Sequence, residues 1–463
     1  MIEGLNPYLE YKESGSKWLG AVPAKWEVRN LRTLISKRTE RDRPDLPLLS
    51  VAREKGVFVR SMTDADENHN VIPDDLSNYK VARAGNLVIN KMKAWQGSMG
   101  IAPCDGIVSP AYFVFAFRIA NHAFGQRLLR SKPYVAHFGQ ASDGVRVGQW
   151  DLSIPGMRQI PVLVPNDDEQ AAIVRFLDHA NRKIDGFIRT KRKLIGLLNE
   201  QKQAIIHRAV TRGLNPDVPL KPSGITWLGD IPRHWEVLRG KYVGRLFSTP
   251  SIADNELSES SQGNTMYLKV SDLAGIDASL KLEKSRLYVK RKSGRDEAPR
   301  PFLVFPKRGG AIFTNRVAIV DSNCFLDPNL MGWQISGRFD PHYVALLLKT
   351  RTLADLADVS SVPQINNHHI SPLQFPAPPI VEQLAIVAWL GKGLIAVTTA
   401  IARTEREIAL MQEYRTRLTA DIVTGKLDVR EAAAKLPDLS TDPIADSASY
   451  YPMEEIEAEE TEV

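Results

Sequence analysis

The side chains best placed to do chemistry are ones that bind rather than react. Lys91, Lys93, Trp95 and Gln96 follow the apolar run Asn86-Leu87-Val88-Ile89-Asn90, and Arg146 and Gln149 sit in a Gly/Ser/Asp-containing loop. A second set, Lys307, Arg308, Asn315 and Arg316, follows Phe302-Leu303-Val304-Phe305, with Gln364, Asn366, Asn367, His368 and His369 further on. Arg and Lys suit phosphates and guanine edges; Asn and Gln suit adenine edges. Singly, each residue also fits a solvated loop. As clusters they read as DNA-facing surfaces.

No reactive constellation accompanies them. The chain has no G-x-x-x-x-G-K-[ST], no G-x-G-x-x-G and no H-E-x-x-H. Cys104 and Cys324 are 220 residues apart and offer no zinc-binding pair. His368-His369 is poorly spaced for a metal on one helix face. Asp327-Pro328-Asn329-Leu330 fails the Asn-Pro-Pro-aromatic pattern of amino-methyltransferases at three positions. Glu200-x-Lys202 has a nuclease-like spacing, but a charged helix face explains it. The reading is of a chain that is not itself an enzyme and binds no metal or cofactor.

The elements that must carry these clusters are arranged as an internal repeat. Residues 4–28 and 213–237 align without a gap at offset 209 and are identical at 14 of 25 positions. The shared residues include Trp18/Trp227, Gly20/Gly229, Pro23/Pro232, Trp26/Trp235 and Glu27/Glu236. A second pair, Glu169 to Leu177 and Glu382 to Leu390, matches at six of nine positions at offset 213. Each follows a proline-bearing run, which reads as an extended lead into a helix. The segments between repeats diverge, yet Leu87-Val88-x-x-Lys91 parallels Leu303-Val304-x-x-Lys307. Ala111 to Phe117 reads as a further strand and His342 to Lys349 as a short helix. Gly4-Leu5-Asn6-Pro7 repeats Gly213-Leu214-Asn215-Pro216, so the chain opens where the second helix would hand over. That predicts a pseudo-twofold molecule whose ends nearly meet.

The second repeated segments read as long helices. No proline interrupts 169–211, and Leu177, Ile184, Leu198 and Ile205 keep heptad spacing around Lys191. In the other copy Leu390, Val397, Met411 and Leu418 do so around Thr404, with Ile401 and Ile408 in a flanking row. Sustained heptads indicate a coiled coil, antiparallel under the pseudo-twofold. The expected fold is α+β: two mixed α/β domains joined by two long antiparallel coiled-coil helices. Its boundaries are 1–165, helix 166–212, 213–379, helix 380–427 and a tail, 428–463.

Charge sharpens the picture. The 463 residues carry 60 Lys+Arg and 54 Asp+Glu, a net charge of +6. Residues 430–463 alone hold ten acidic and two basic residues, leaving +14 on the remainder. A basic body implies a polyanionic partner, and the acidic tail reads as a disordered, solubilising extension. Two unpaired cysteines, no basic-then-apolar leader and no apolar run near 18 residues, hence no transmembrane helix, predict a cytoplasmic chain with no membrane partner.

Lys12-x-Ser14-Gly15-x-x-Trp18-Leu19-Gly20-x-x-Pro23-x-x-Trp26, its copy from Lys221 to Trp235, and the proline-led Glu-Gln-x-x-Ile-Val-x-x-Leu segments together resemble the specificity subunit of Type I restriction–modification enzymes. The likeness runs from Gly4 to about Leu427. It implies two target-recognition domains, each binding half of a split site in double-stranded DNA, with the two helices as a ruler. It also implies two adenine methyltransferase subunits and nuclease/translocase subunits as partners. S-adenosylmethionine, ATP and Mg would then act on those partners, not here. The chain departs from the commoner pattern at Asn166-Asp167-Asp168, where the second copy has Pro378-Pro379. The alternative from the same residues is a coiled-coil scaffold organising protein partners.

Overall fold

The computed structural model describes residues 5–60, 75–146, 149–261, 265–274, 276, 279–290, 298–358 and 362–437. The chain divides into two compact units, 1–190 with 407–463, and 191–406. Both cuts fall inside long helical segments, so each unit contains part of both. Six helices matter below: α1 (His122–Leu129), α2 (Asp167–Arg212), α3 (Pro341–Arg351), α4 (Ile380–Gly393), α5 (Ile395–Val423) and α6 (Arg430–Ala434). α2 runs unbroken for 46 residues, with Asp167, Asp168 and Glu169 in its first turn where the helix dipole favours anions. The second long segment, expected to be continuous, is split at Leu394. Gly391 and Gly393, both poor helix formers, weaken it there.

The two units share one frame. In the first, an antiparallel sheet has the order Ile35–Lys37, Tyr112–Phe117, Asn86–Asn90, Met99–Ile101. In the second the order is Gly244–Phe247, Leu330–Ile335, Phe302–Pro306, Ala318–Val320. Leu87 lies opposite Phe115 and Ile101; Leu303 lies opposite Trp333 and Ile319. The Leu-Val pairs noted in the sequence therefore occupy equivalent central strands, and all four side chains are fully buried. Burial on both faces is why these runs are continuously apolar rather than alternating. Around this frame the units differ. The second adds a four-stranded mixed sheet containing Thr265–Leu268 and Cys324–Leu326, a parallel pair.

In each unit one knot of side chains ties a helix end to a helix start. Trp26 and Trp235 are completely buried. Trp235 lies against Gly213, which ends α2, and its Nε1 donates to Glu382 Oε2 at 3.0 Å, in the first turn of α4. Trp26 lies against Gly425, just beyond α5, and its ring meets that of Tyr8 edge-on at 5.7 Å. Tyr8 donates to Glu169 Oε1 at 2.7 Å, in the first turn of α2. The Gln after each Glu completes the tie. Gln170 Nε2 donates to Pro165 O while its Oε1 accepts from Asn121 N, the N-cap of α1. Gln383 does the same with Pro378 O and with Asp340 N, the N-cap of α3. The ends expected to meet do meet within the first unit. Asn6 bridges Asp428, whose N–H donates to Asn6 O at 2.8 Å.

Two expectations need correction. The tail does not leave the fold at 428: Val429 and Ala433 are buried, α6 covers 430–434, and Arg175 donates to Leu436 O at 2.6 Å. Residues 438–463 lie outside the described residues. The expectation of no apolar run near 18 residues is overturned as well. The helical stretch Ile380–Val423 contains an 18-residue window of mean hydropathy 1.9, long and apolar enough by composition to cross a membrane. One face of α4 packs inward through Gln383, Ile386 and Leu390. Val381, Leu384, Trp389 and, beyond the break, Ile395 are exposed.

Gly425 has φ +79°, and a Cβ there would collide with Pro23 and come within 3.1 Å of Trp26 Cζ3. Gly213 has φ +74°, and its nearest neighbour would be the Glu382 carboxylate at 3.0 Å, which can move. Gly425→Ala is expected to cost about 2–4 kcal/mol and Gly213→Ala about 1–2 kcal/mol. Urea unfolding of the two variants checks the order; equal midpoints would refute the knot.

Candidate nucleic-acid interface

The polar clusters stand on turns that leave the equivalent central strands. In the first unit the strand Asn86–Asn90 runs into a turn holding Lys91, Lys93, Trp95 and Gln96, closed by a short 3-10 helix, Ala94–Gln96. The hairpin Ser142–Arg146 and Gln149–Leu152 folds back onto this turn. Lys91 Nζ pairs with Asp151 Oδ2 at 2.8 Å, Leu152 N donates to Lys91 O, and the Trp95 and Trp150 rings lie 5.1 Å apart. Arg146 and Gln149 are register partners at the hairpin tip; their side chains lie outside the described residues. Both halves of the first cluster are thus brought together by pairing that no local sequence signal carries.

The second unit does the same with different parts. Arg308 bridges Gln364, Gly309 N donates to Pro363 O, and Ile365 N donates to Lys307 O. Residues 307–316 and 364–369 therefore share one surface. Arg308, Asn367 and His368 are exposed; Lys307, Arg316 and Gln364 are half-buried.

Two of the expected readers are occupied in holding this surface. Asn315, at φ +50°, donates from Nδ2 to Lys349 O and accepts at Oδ1 from Leu353 N. Asn366 N-caps the turn Asn367–Ile370 in a reciprocal capping box with His369. The Asn315 amide is a positioning group, whereas Asn366 takes part through its backbone N–H, which donates to His369 Nδ1. A left-handed residue with its side chain pinned at both ends is how a turn holds its shape.

His369 Nε2 lies 2.9 Å from Asp358 Oδ1, and the His368 ring sits 4.0 Å from that of His369. These three side chains could converge on a cation by distance. The hydrogen bonds argue otherwise. His369 Nδ1 accepts from Asn366 N at 3.0 Å, so the ring proton resides on Nε2 and points at Asp358. A metal there would break the capping box.

The electrostatics are one-sided in both units. Lys307 is held below its ordinary pKa by burial and then by Arg308. Lys349 is lowered by burial and then by Lys202. In the first unit Lys80 is lowered by burial and then by Arg41, Lys37 and Lys91. Lys80, Lys349 and Lys202 were missed in the sequence, because cations distant in the chain become mutual neighbours only on folding. Burial is the larger cause in each case, and the neighbouring cations add to it.

The long helices bury the expected rows unevenly. Leu177, Ile184, Leu390 and Leu418 are buried; Leu198, Ile205, Val397, Ile401, Ile408 and Met411 are half-buried. Thr404, read as an interruption, is itself buried and donates to Ala400 O. In the first unit α2 and α5 share a core through Ile173, Phe176, Leu177, Leu418 and Ile422, and Arg415 pairs with Asp185 beside it. In the second, Ile206 and Val210 of α2 share a core with Ile386 and Leu390 of α4.

A four-stranded antiparallel sheet used twice, together with long helices, makes this a mixed α/β chain with a repeated frame. No protein-family profile and no curated protein matches the sequence. Among solved structures, the fold is similar to that of a chain from the type I R-M system, described for its complex assembly and conformational transition. That likeness has a TM-score of 0.64 at 14% identity, covering 87% of this chain and 98% of the other. The HsdS subunit from Thermoanaerobacter tengcongensis aligns at 16% identity and TM-score 0.44, over 87% of this chain and 96% of that one. The S subunit of a Type-I restriction-modification system from M. genitalium aligns at 12% and 0.33, over 86% and 96%. The first likeness establishes the fold; the other two superpose too loosely to bear an argument.

The shared core and the ion pair beside it are separable by mutation. Leu418 is 6% exposed, so Leu418→Glu should cost about 3–5 kcal/mol by burying an unpaired carboxylate. Asp185→Asn removes a pair whose side chains are 57% and 33% exposed and should cost only ~0.2–1 kcal/mol. Chemical denaturation of both variants tests this; a larger loss from Asp185→Asn would mean charge, not packing, joins the helices.

Proposed function

We propose that this chain is the non-catalytic DNA-recognition subunit of a type I restriction–modification complex. Each of two target-recognition domains, 1–165 and 213–379, reads one half of a bipartite site. The helices 166–212 and 380–427 act as an antiparallel coiled-coil spacer. The observation that carries the reading is the repetition of one sheet frame bearing two different cation-rich turns, at 91–96 and 307–316. A shared frame with divergent surfaces suits two ligands of one chemical class, and unbalanced cations suit a phosphate backbone. The fold likeness to a chain of the type I R-M system agrees with it.

Partner docking follows from the other exposed feature. Val381, Leu384, Trp389 and Ile395 leave apolar surface uncovered, which suits burial against protein. The partners in this reading are two adenine methyltransferase subunits and nuclease/translocase subunits, which bring S-adenosylmethionine, ATP and Mg. The same surface favours the second reading, a scaffold that organises proteins without reading DNA.

Exchanging residues 29–165 for another domain of the kind separates the two. Methylome sequencing of cells carrying the complex should show one half of a bipartite adenine-methylation motif altered and the other retained. An unaltered motif would leave the scaffold reading standing. Arg316→Ala should weaken DNA binding and lower the slope of log affinity against log salt by about one. An unchanged slope would remove Arg316 from the interface.

A further inference from the structure

The two cation-rich turns share a feature that charge does not explain. Each presents a large apolar side chain to solvent. Phe313 is 63% exposed at the tip of the 3-10 helix Gly310–Thr314, and Met92 is 47% exposed in the first unit's turn. Both turns connect the same two neighbouring strands of the repeated sheet, Asn86–Asn90 to Met99–Ile101 and Phe302–Pro306 to Ala318–Val320. The sequences of the turns differ, yet the apolar tip recurs.

Neither tip is on a loose loop. Ile312, next to Phe313, is fully buried, and Asn315 beyond it is pinned to Lys349 and Leu353. In the other turn Ala94 is fully buried, Met92 N donates to Asn90 Oδ1 at 3.2 Å, and Trp95 Nε1 donates to Met92 O at 3.1 Å. A pinned turn that holds an aromatic or thioether side chain in water forgoes burying it. Cations flank each tip in sequence, Arg308 and Arg316 about Phe313, and Lys91 and Lys93 about Met92. Apolar tip between cations is the chemistry of a side chain that enters a base stack while its neighbours hold the phosphates on either side.

We propose that Phe313 and Met92 are wedges that insert between bases and unstack one step in each half of the DNA site. This rests on the DNA-reading assignment above. Neither side chain can read a base edge by hydrogen bonding, so their contribution is to deformation and stacking. A partner that modifies a base needs that base out of the stack, and a step already loosened lowers the cost of taking it there.

The test uses the full chain with the subunits that co-purify with it. A pool of duplexes with a randomised core is selected for binding, and 2-aminopurine is then placed in turn at each purine position of the selected sequence. Bound wild-type protein should raise fluorescence at one step in each half. Phe313→Ala should abolish the signal in one half only and weaken binding about tenfold. Met92→Ala should abolish it in the other half, and Phe313→Trp should retain it. Altered base preference with fluorescence unchanged would overturn the wedges in favour of groove contacts such as a thymine methyl. Unchanged binding and fluorescence in both alanine variants would overturn them outright. A pool yielding no bipartite consensus with the wild type would remove the DNA reading itself, and the wedges with it.

Discussion

Everything in each unit hangs on a buried tryptophan set against the glycine that ends a long helix. The indole of Trp235 lies beside Gly213, and its N–H reaches the Glu382 carboxylate at the start of the next helical segment. Trp26 lies likewise beside Gly425, where Pro23 crowds the glycine more closely still, and Tyr8 supplies the hydrogen bond to Glu169. A glycine with positive φ allows the chain to turn sharply at a helix terminus, and at Gly425 the packing of Pro23 leaves no room for a side chain. One helix end, one helix start and the repeated arm are therefore held at a single point. The glutamine that follows each glutamate carries the constraint onward to the N-cap of α1 or α3, which packs on the sheet bearing the turn.

That chain of contacts accounts for part of what the two copies share. Trp26 and Trp235 of the arm, with Pro23, and the Glu-Gln of each helix start belong to the knot. The turns at 91–96 and 307–316 lie beyond it. Their frames are held by main-chain pairing, so side chains there are free to differ without cost to the knot. One turn is closed by a tryptophan pair and an ion pair, the other by Asn315 and a bridge from Arg308 to Gln364. The common outcome is a lysine, Lys80 or Lys307, held below its ordinary range by burial and by neighbouring cations.

Much of the frame was legible in the residues. The offset repeats located the knot, the proline-free heptads located α2, and the Leu-Val pairs identified equivalent strands before any geometry was known. Meeting of the chain ends followed from Gly4-Leu5-Asn6-Pro7 and is realised in the bridge from Asn6 to Asp428. The candidate site was legible only as composition. Asn315 carries the right amide for adenine, yet folds into a turn-holding role, because an amide near a tight turn finds backbone partners first. The break at Leu394 and the exposed face of α4 were missed for a related reason. Heptad counting registers apolar residues but not which of them a partner leaves uncovered.

The sequence by itself determined the duplication, the long helices, the central strands and the uneven charge, since each is a local or periodic property that folding does not rearrange. Only the tertiary structure decided which cations are neighbours, that the Asn315 amide is consumed in holding a turn, and that Phe313 and Met92 are exposed to solvent. These depend on antiparallel pairing between segments far apart in the chain. Burial and hydrogen bonding at such contacts are set by the whole fold and leave no trace in the spacing of residues along it.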